Sequence, residues 1–276
     1  MLILVAALTL APPNVTPEPQ ATAPGQVPAR YRELFEQRDA EGLRELWLAH
    51  PTLILGTFDG DLERSLALWE KSPEASDAER IGALHERATW GARIASEATG
   101  RPIFADYAAA FIGWNDEQKL AFRAGQAAFG ESRRHIQAAE FDAALESARE
   151  CLDLALPLGD WWGTAMGYTA EGMALQAAGM HAEALVATGQ ARLLNAQLGL
   201  ETPEYRNLLG LLAGLVELAR WPRALVCAND AAALARRVND EPGLRRVLGE
   251  RARIERELGL PEAAAATEKE LEALGD

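Results

Sequence analysis

Few residues in this sequence have types and spacings that suit catalysis. The sharpest set lies in "GMHAEALV", where His181-Ala182-Glu183 has the His-x-Glu spacing of zinc deaminases. In that chemistry the His binds zinc, the Glu moves protons, and a Pro-Cys-x-x-Cys further on supplies the remaining ligands. Nothing completes the set here. The chain has two cysteines, Cys151 and Cys227, and Cys227 is followed by Ala228-Asn229-Asp230. Both cysteines lie in apolar, helix-patterned stretches ("SARECLDLAL", "ALVCANDAAAL") and read as buried free thiols.

Other combinations fail in the same way. His85-Glu86 would need a second His four residues after the first to form a metalloprotease motif, and Thr89 stands there. His50 precedes Pro51 at a helix end, and His135 sits mid-helix in "SRRHIQAA". Asp59, Asp61 and Glu63 in "FDGDLE" invite a calcium reading but lack the later ligands of an EF-hand loop. Acids in the first turn of a helix account for them better. There is no Gly-x-Ser-x-Gly, phosphate-binding loop or Gly-x-Gly-x-x-Gly. The expectation is a chain with no catalytic, cofactor-binding or metal-binding residue, and not an enzyme.

His181 then has to be explained by the element that carries it. In steps of about 40 residues, "FDAALESARE" begins at Phe141, "HAEALVATGQ" at His181, "WPRALVCAND" at Trp221 and "PEAAAATEKE" at Pro261. The fourth residue of each is Ala: Ala144, Ala184, Ala224 and Ala264. A small or turn-forming site precedes each: Ala138-Ala139, Gly179, Ala219 and Gly259. The stretches between show apolar residues at helical spacing, such as Met166, Ala170, Met173 and Ala177, or Leu208, Leu211, Leu212 and Leu215. Each unit reads as helix, tight turn, helix, loop. The repeated Ala lets the two helices of a hairpin approach just after their turn. Phe141, His181, Trp221 and Pro261 occupy the slot that opens the second helix, where a ring can pack over the hairpin.

On these residues the chain resembles the tetratricopeptide repeat family, in a long-period bacterial form. Gly172, Leu175, Gly179, His181, Ala184 and Ala191 fall on that family's small and apolar positions, with Leu185 and Leu194 as core. The resemblance runs from about residue 116 to 276 as four hairpins. It is degenerate over 30–115, where Gly100, Pro102 and Ala105 fit the turn pattern and Gly60, Leu62 and Ser65 fit it weakly. Divergent end units would cap the exposed core. The resemblance implies an all-α, right-handed α-solenoid of antiparallel helical hairpins.

It also implies a concave groove lined by the first helix of each hairpin. The expected positions are Gln126, Phe129, Arg133 and Ile136; Met166, Thr169, Met173 and Gln176; Arg206, Leu209, Ala213 and Val216; and Arg246, Gly249, Arg253 and Arg256. The middle is apolar and the end basic, which suits a protein or peptide partner carrying acidic groups. Helix pairs four apart (Arg246/Glu250, Arg251/Glu255, Arg253/Glu257) compete for the same arginines. Thr169, Met173, Leu209 and Ala213 stand where chaperone-binding members carry polar clamp residues, which disfavours that partner class. Trp161-Trp162 cannot both face one way on a helix; one is expected in the core, and for the other packing is favoured over the alternative of a surface anchor.

Composition agrees with a helical protein. Of 276 residues, 49% are hydrophobic, 25% charged and 7% aromatic, with Ala and Leu leading. The net charge of -14 disfavours nucleic acid and anionic membranes as partners. "MLILVAALTLAPP" is too short to span a bilayer and fits the apolar core of a secretory signal, with a cleavage site near Ala21-Thr22-Ala23, although no Lys or Arg precedes it. Residues 1–23 are therefore expected to be a signal peptide of an exported protein, the alternative being a cytoplasmic chain. Proline-rich residues up to 29 are expected to form a disordered tether. Asn14-Val15-Thr16 matches a glycosylation acceptor within that segment. The function expected is a non-catalytic interaction scaffold. The alternative is a peptide- or ligand-binding sensor acting with an effector, a protease or kinase, on another chain. Oligomeric state is left open.

Overall fold

The computed structural model describes residues 22–71 and 77–275, so residues 1–21 of the expected signal segment, Asn14 among them, lie outside the described residues. Among the described residues the chain is an all-α solenoid of stacked antiparallel hairpins, with thirteen α-helices and no strand. The helices are α1 (Val27–Gln37), α2 (Ala40–Ala49), α3 (Ile54–Lys71), α4 (Ala78–Thr99), α5 (Ile103–Gly113), α6 (Asp116–Gln137) and α7 (Phe141–Leu158). They continue as α8 (Trp161–Ala177), α9 (His181–Gln197), α10 (Glu201–Glu217), α11 (Trp221–Arg237), α12 (Glu241–Glu257) and α13 (Pro261–Ala273). From α3 onward each helix packs on the next, except that α5 and α6 meet mainly through the Phe111 and Phe122 rings, and α6 also meets α8, first helix to first helix. None is long and apolar enough to cross a membrane.

The repeat has a backbone cause. Ala139, Gly159, Gly179, Gly199, Ala219, Asn239 and Gly259, each 20 residues after the last, all hold a left-handed conformation with φ between 51° and 76°. Such a residue ends a helix by turning the next amides back onto its last carbonyls. At Gly179 the amide donates to Gln176 (3.1 Å) and that of Met180 to Leu175 (2.9 Å); at Ala219 the matching bonds run to Val216 (2.9 Å) and from Arg220 to Leu215 (2.8 Å). Helices restart on side-chain caps at Asp160 and Asp240, whose carboxylates accept from the Gly163 (2.8 Å) and Gly243 (3.0 Å) amides. Ala144, Ala184, Ala224 and Ala264 are all buried at the hairpin crossings.

Residues before 116 depart from this register. The core there is aromatic: Tyr31, Trp47, Phe58, Phe104, Tyr107, Phe111, Trp114 and Phe122 pack in one cluster that reaches Leu158, Ala165 and Leu198 of the regular units. Buried ring donors reach backbone oxygens, as buried polar atoms must: Tyr31 to Arg87 (2.6 Å), Trp47 to Gly91 (3.1 Å) and Trp114 to Leu158 (2.9 Å). At Gly91 a β-carbon would stand 2.7 Å from the Tyr31 hydroxyl, so only glycine lets α1 and α4 meet.

Three expectations are corrected. Residues 24–29 are not a tether: Pro24–Gln26 form a 3-10 turn, α1 starts at Val27, and the Val27 side chain is buried in the core. Gly60 is no turn, and Asp59, Asp61 and Glu63 do not open a helix; all lie inside α3. Asp59 and Asp61 are buried there, because α3 turns this face toward α4 and α5.

Candidate binding site

Two buried aspartates of α3 have opposite surroundings. Asp61 is fully buried and accepts two bonds from Arg87 (2.7 and 2.6 Å) and one from Arg64 (2.6 Å). That carboxylate is paired as a buried charge has to be. Asp59, two residues earlier, is 8% exposed and has no cation partner among the described residues. Its Oδ1 accepts the Tyr107 hydroxyl at 2.7 Å, its one hydrogen bond. Burial pushes the Asp59 carboxyl up to about 7, with smaller upward contributions from Glu63 and Asp160 and a downward one from the Tyr107 bond.

Asp59 opens into a cavity of about 260 Å³ enclosed by α3, α5, α6, α7 and α8. Its walls include Glu63, Phe122, Gly125, Gln126, Cys151, Trp162 and Met166, and a second acid, Asp160, closes one side. Asp160 is 4% exposed and likewise makes no ion pair among the described residues. Burial raises its carboxyl to about 6, against the lowering effect of the Gly163 amide. Burial also raises the Cys151 thiol to about 12, which leaves it a protonated, unreactive wall. Arg123 lies beside the lining residue Glu63 and is engaged by Glu63 (2.9 Å) and Glu70 (2.6 Å), while Gln126 donates to Glu63 (3.2 Å).

A second, more open concavity of about 340 Å³ lies between α10 and α12. Leu209, Leu212, Ala213, Val216 and Val247 make its apolar floor, and Arg246, Arg253, Glu217 and Glu250 its edge. Arg253 pairs with Glu250 (2.8 Å) instead of Glu257. Arg246 forms no ion pair among the described residues.

The structure thus divides the expected groove. Gln126 and Met166 line the acidic cavity; Leu209, Ala213, Val216, Arg246 and Arg253 line the basic concavity. Arg133, Met173 and Arg206 line neither of these two. Arg133 lies over the Phe129 ring (5.8 Å), and Met173 and Arg206 are exposed on α8 and α10. Arg256 is a correction: it turns to α13 and pairs with Glu268, away from the basic concavity. In the slot that opens each second helix, Phe141, His181 and Trp221 are half-buried, but Pro261 is exposed and packs over nothing comparable. His181 keeps a buried Nδ1 with no hydrogen-bond partner, and no cluster of three or more potential metal ligands forms among the described residues. Trp161 and Trp162 both pack half-buried against the aromatic core, so neither is a free surface anchor.

Asp59, Tyr107 and Asp160 carry the cavity's chemistry, and sequence reasoning did not single them out for it. Asp160 lies in the loop "LGDWWG" between repeat helices, and the "FDGDLE" acids read as a failed calcium loop or the first turn of a helix.

No family model matches the chain. No curated protein matches it either. Among solved structures, the crystal structure of BtubC (BKLC) from P. vanneervenii is similar, with a TM-score of 0.50 and 16% identity over 80% of this chain and 89% of that one. At that identity the likeness concerns the fold.

Proposed function

We propose that the chain is a non-catalytic interaction scaffold of the tetratricopeptide type, whose concave face holds a segment of a protein partner. The observation that carries this reading is the concavity between α10 and α12, with an apolar floor and the unpaired Arg246 at its edge. An aliphatic side chain buried on Leu209, Leu212 and Val216 supplies affinity, and a carboxylate on Arg246 supplies orientation. The regular spacing of the left-handed turn residues supports a stiff framework that holds these groups in place.

Selection of a random peptide display library on the full chain tests the reading. Selected peptides should place an acidic residue beside aliphatic ones and bind the double variant Arg246→Ala/Arg253→Ala at least tenfold more weakly. Peptides without acidic residues, or equal binding to the variant, would refute it. The enclosed acidic cavity favours a second reading, a sensor that binds a small group and acts with an effector on another chain.

A further inference from the structure

We propose that the cavity between α3, α5, α6, α7 and α8 is a binding site for an alkylammonium group, a positively charged amine on an aliphatic stem. The inference rests on reading the concave face as a binding surface, and adds the chemistry that its acidic end recognises. Asp59 and Asp160 are more than nine-tenths buried and neither forms an ion pair among the described residues. The second oxygen of Asp59 has no hydrogen-bond partner among the described residues, and Asp59 lines the cavity. Buried carboxylates are ordinarily paired, as Asp61 is by Arg87 two residues further along the same helix. Arg123, the cation whose charge acts on Asp59, already faces two carboxylates, Glu63 and Glu70. The site is therefore short of positive charge.

The other walls define the rest of the ligand. Phe122, Met166 and Ala155 offer apolar surface to a methylene stem, and Trp162 adds an indole, a group that attracts cations, to the lining. The volume of about 260 Å³ admits a small diamine or one long side chain. Both a free amine and a partner's lysine carry this chemistry. The titratable and charged groups around the ligand are Asp59 and Glu63 from α3, Tyr107 from α5, Arg123 from α6, Cys151 from α7 and Asp160 before α8.

Isothermal titration calorimetry of the full chain with cadaverine, and separately with an acetylated, amidated pentapeptide bearing a central lysine, separates the two sources. Saturable binding of cadaverine alone at pH 8 identifies a free-amine ligand; binding of the peptide identifies a partner side chain. Asp59→Asn should weaken either by at least tenfold. Lowering the pH to 5 should weaken it roughly a hundredfold, because a proton on a carboxyl raised to about 7 competes with the amine. No saturation by either probe at millimolar concentration, or unchanged binding to Asp59→Asn, overturns the proposal. Met166→Lys guards against a variant that fails to fold. It places a tethered ammonium among the acids, so it should block amine binding and raise the thermal midpoint at pH 8. A lowered midpoint with amine binding retained also overturns the proposal. Failure here leaves the Arg246/Arg253 peptide test standing, since neither arginine lines this cavity.

Discussion

Replacing Asp59 by Asn should change the pH dependence of stability in a way that only an unpaired buried carboxyl can. In the unfolded chain the Asp59 carboxyl ionises near 3.8; in the folded chain it ionises near 7. Between those values the unfolded chain has lost this proton while the folded chain keeps it. Raising the pH therefore draws the equilibrium toward unfolding. The stability that Asp59 leaves intact below about pH 4 is lost as pH rises to about 7 and stays lost above it. Over the full window the loss is about 4 kcal/mol, at 1.36 kcal/mol per unit of pH. Asn carries no proton to lose, and its Oδ1 still accepts the Tyr107 hydroxyl. The stability of Asp59→Asn relative to the parent should thus rise by about 3 kcal/mol from pH 5 to pH 8. Asp160 is present in both proteins, so its own slope largely cancels in the difference. Equilibrium urea unfolding at the two pH values, followed by circular dichroism, measures it. Parallel pH profiles for the two proteins would mean that Asp59 ionises freely in the folded state, and the premise of a cation-deficient cavity would fail with it.

The interior pairs of the solenoid make two further tests. Asn195 donates to Asn207 at 2.7 Å, and Asn207 donates to Thr169 at 3.2 Å, where the next unit has Ala235 and Val247. Asn195→Ala should cost about 1–3 kcal/mol by stranding the Asn207 Oδ1, and Asn195→Ala/Asn207→Val should recover most of it; a double variant no more stable in urea than the single one would refute this. Asp61→Asn should cost about 3–5 kcal/mol, because it leaves Arg87 half-buried without its carboxylate. A urea midpoint unchanged from the parent would show that water reaches that pair.

What could be read from the sequence is what the repeat dictates locally. A hairpin needs a left-handed residue at its turn and a small residue at its first crossing. Gly179 with Ala184, and Ala219 with Ala224, meet both needs within a few residues of chain. The groove positions came from the family resemblance; helix geometry explains the outcome, since seven residues bring Arg253 back to nearly the face of Arg246, whereas Arg256 lies roughly 80° from Arg246, toward α13. The acids of α3 could not be placed this way. Asp61 is held by Arg87, 26 residues on, and Asp59 by Tyr107, 48 residues on. A Gly flanked by two acids looks like a turn until partners that distant are known. Val27 is the same case in apolar form, buried only because the bundle of α1 to α5 closes over it.

The place where the register fails is also where the site forms, and the two facts are connected. Between regular units, side chains fill the space: Leu208, Leu212, Ala228 and Ala231 in one, Asn195 with Asn207 in another. At the junction, α5 ends on Trp114, whose indole donates to Leu158 and fixes the aromatic wall against α7. The residues facing that wall are small: Gly125, Ala155 and Gly163 all line the gap, so nothing fills it. Into the same gap the chain turns two acids without cations. Either departure alone would weaken the fold, one by an empty volume and the other by an uncompensated charge. Each is also what the other needs in order to serve a ligand: the gap gives an ammonium room, and the acids give it charge. When a packing rule and a pairing rule are broken together, within one set of walls and nowhere else among the regular units, binding explains both at once.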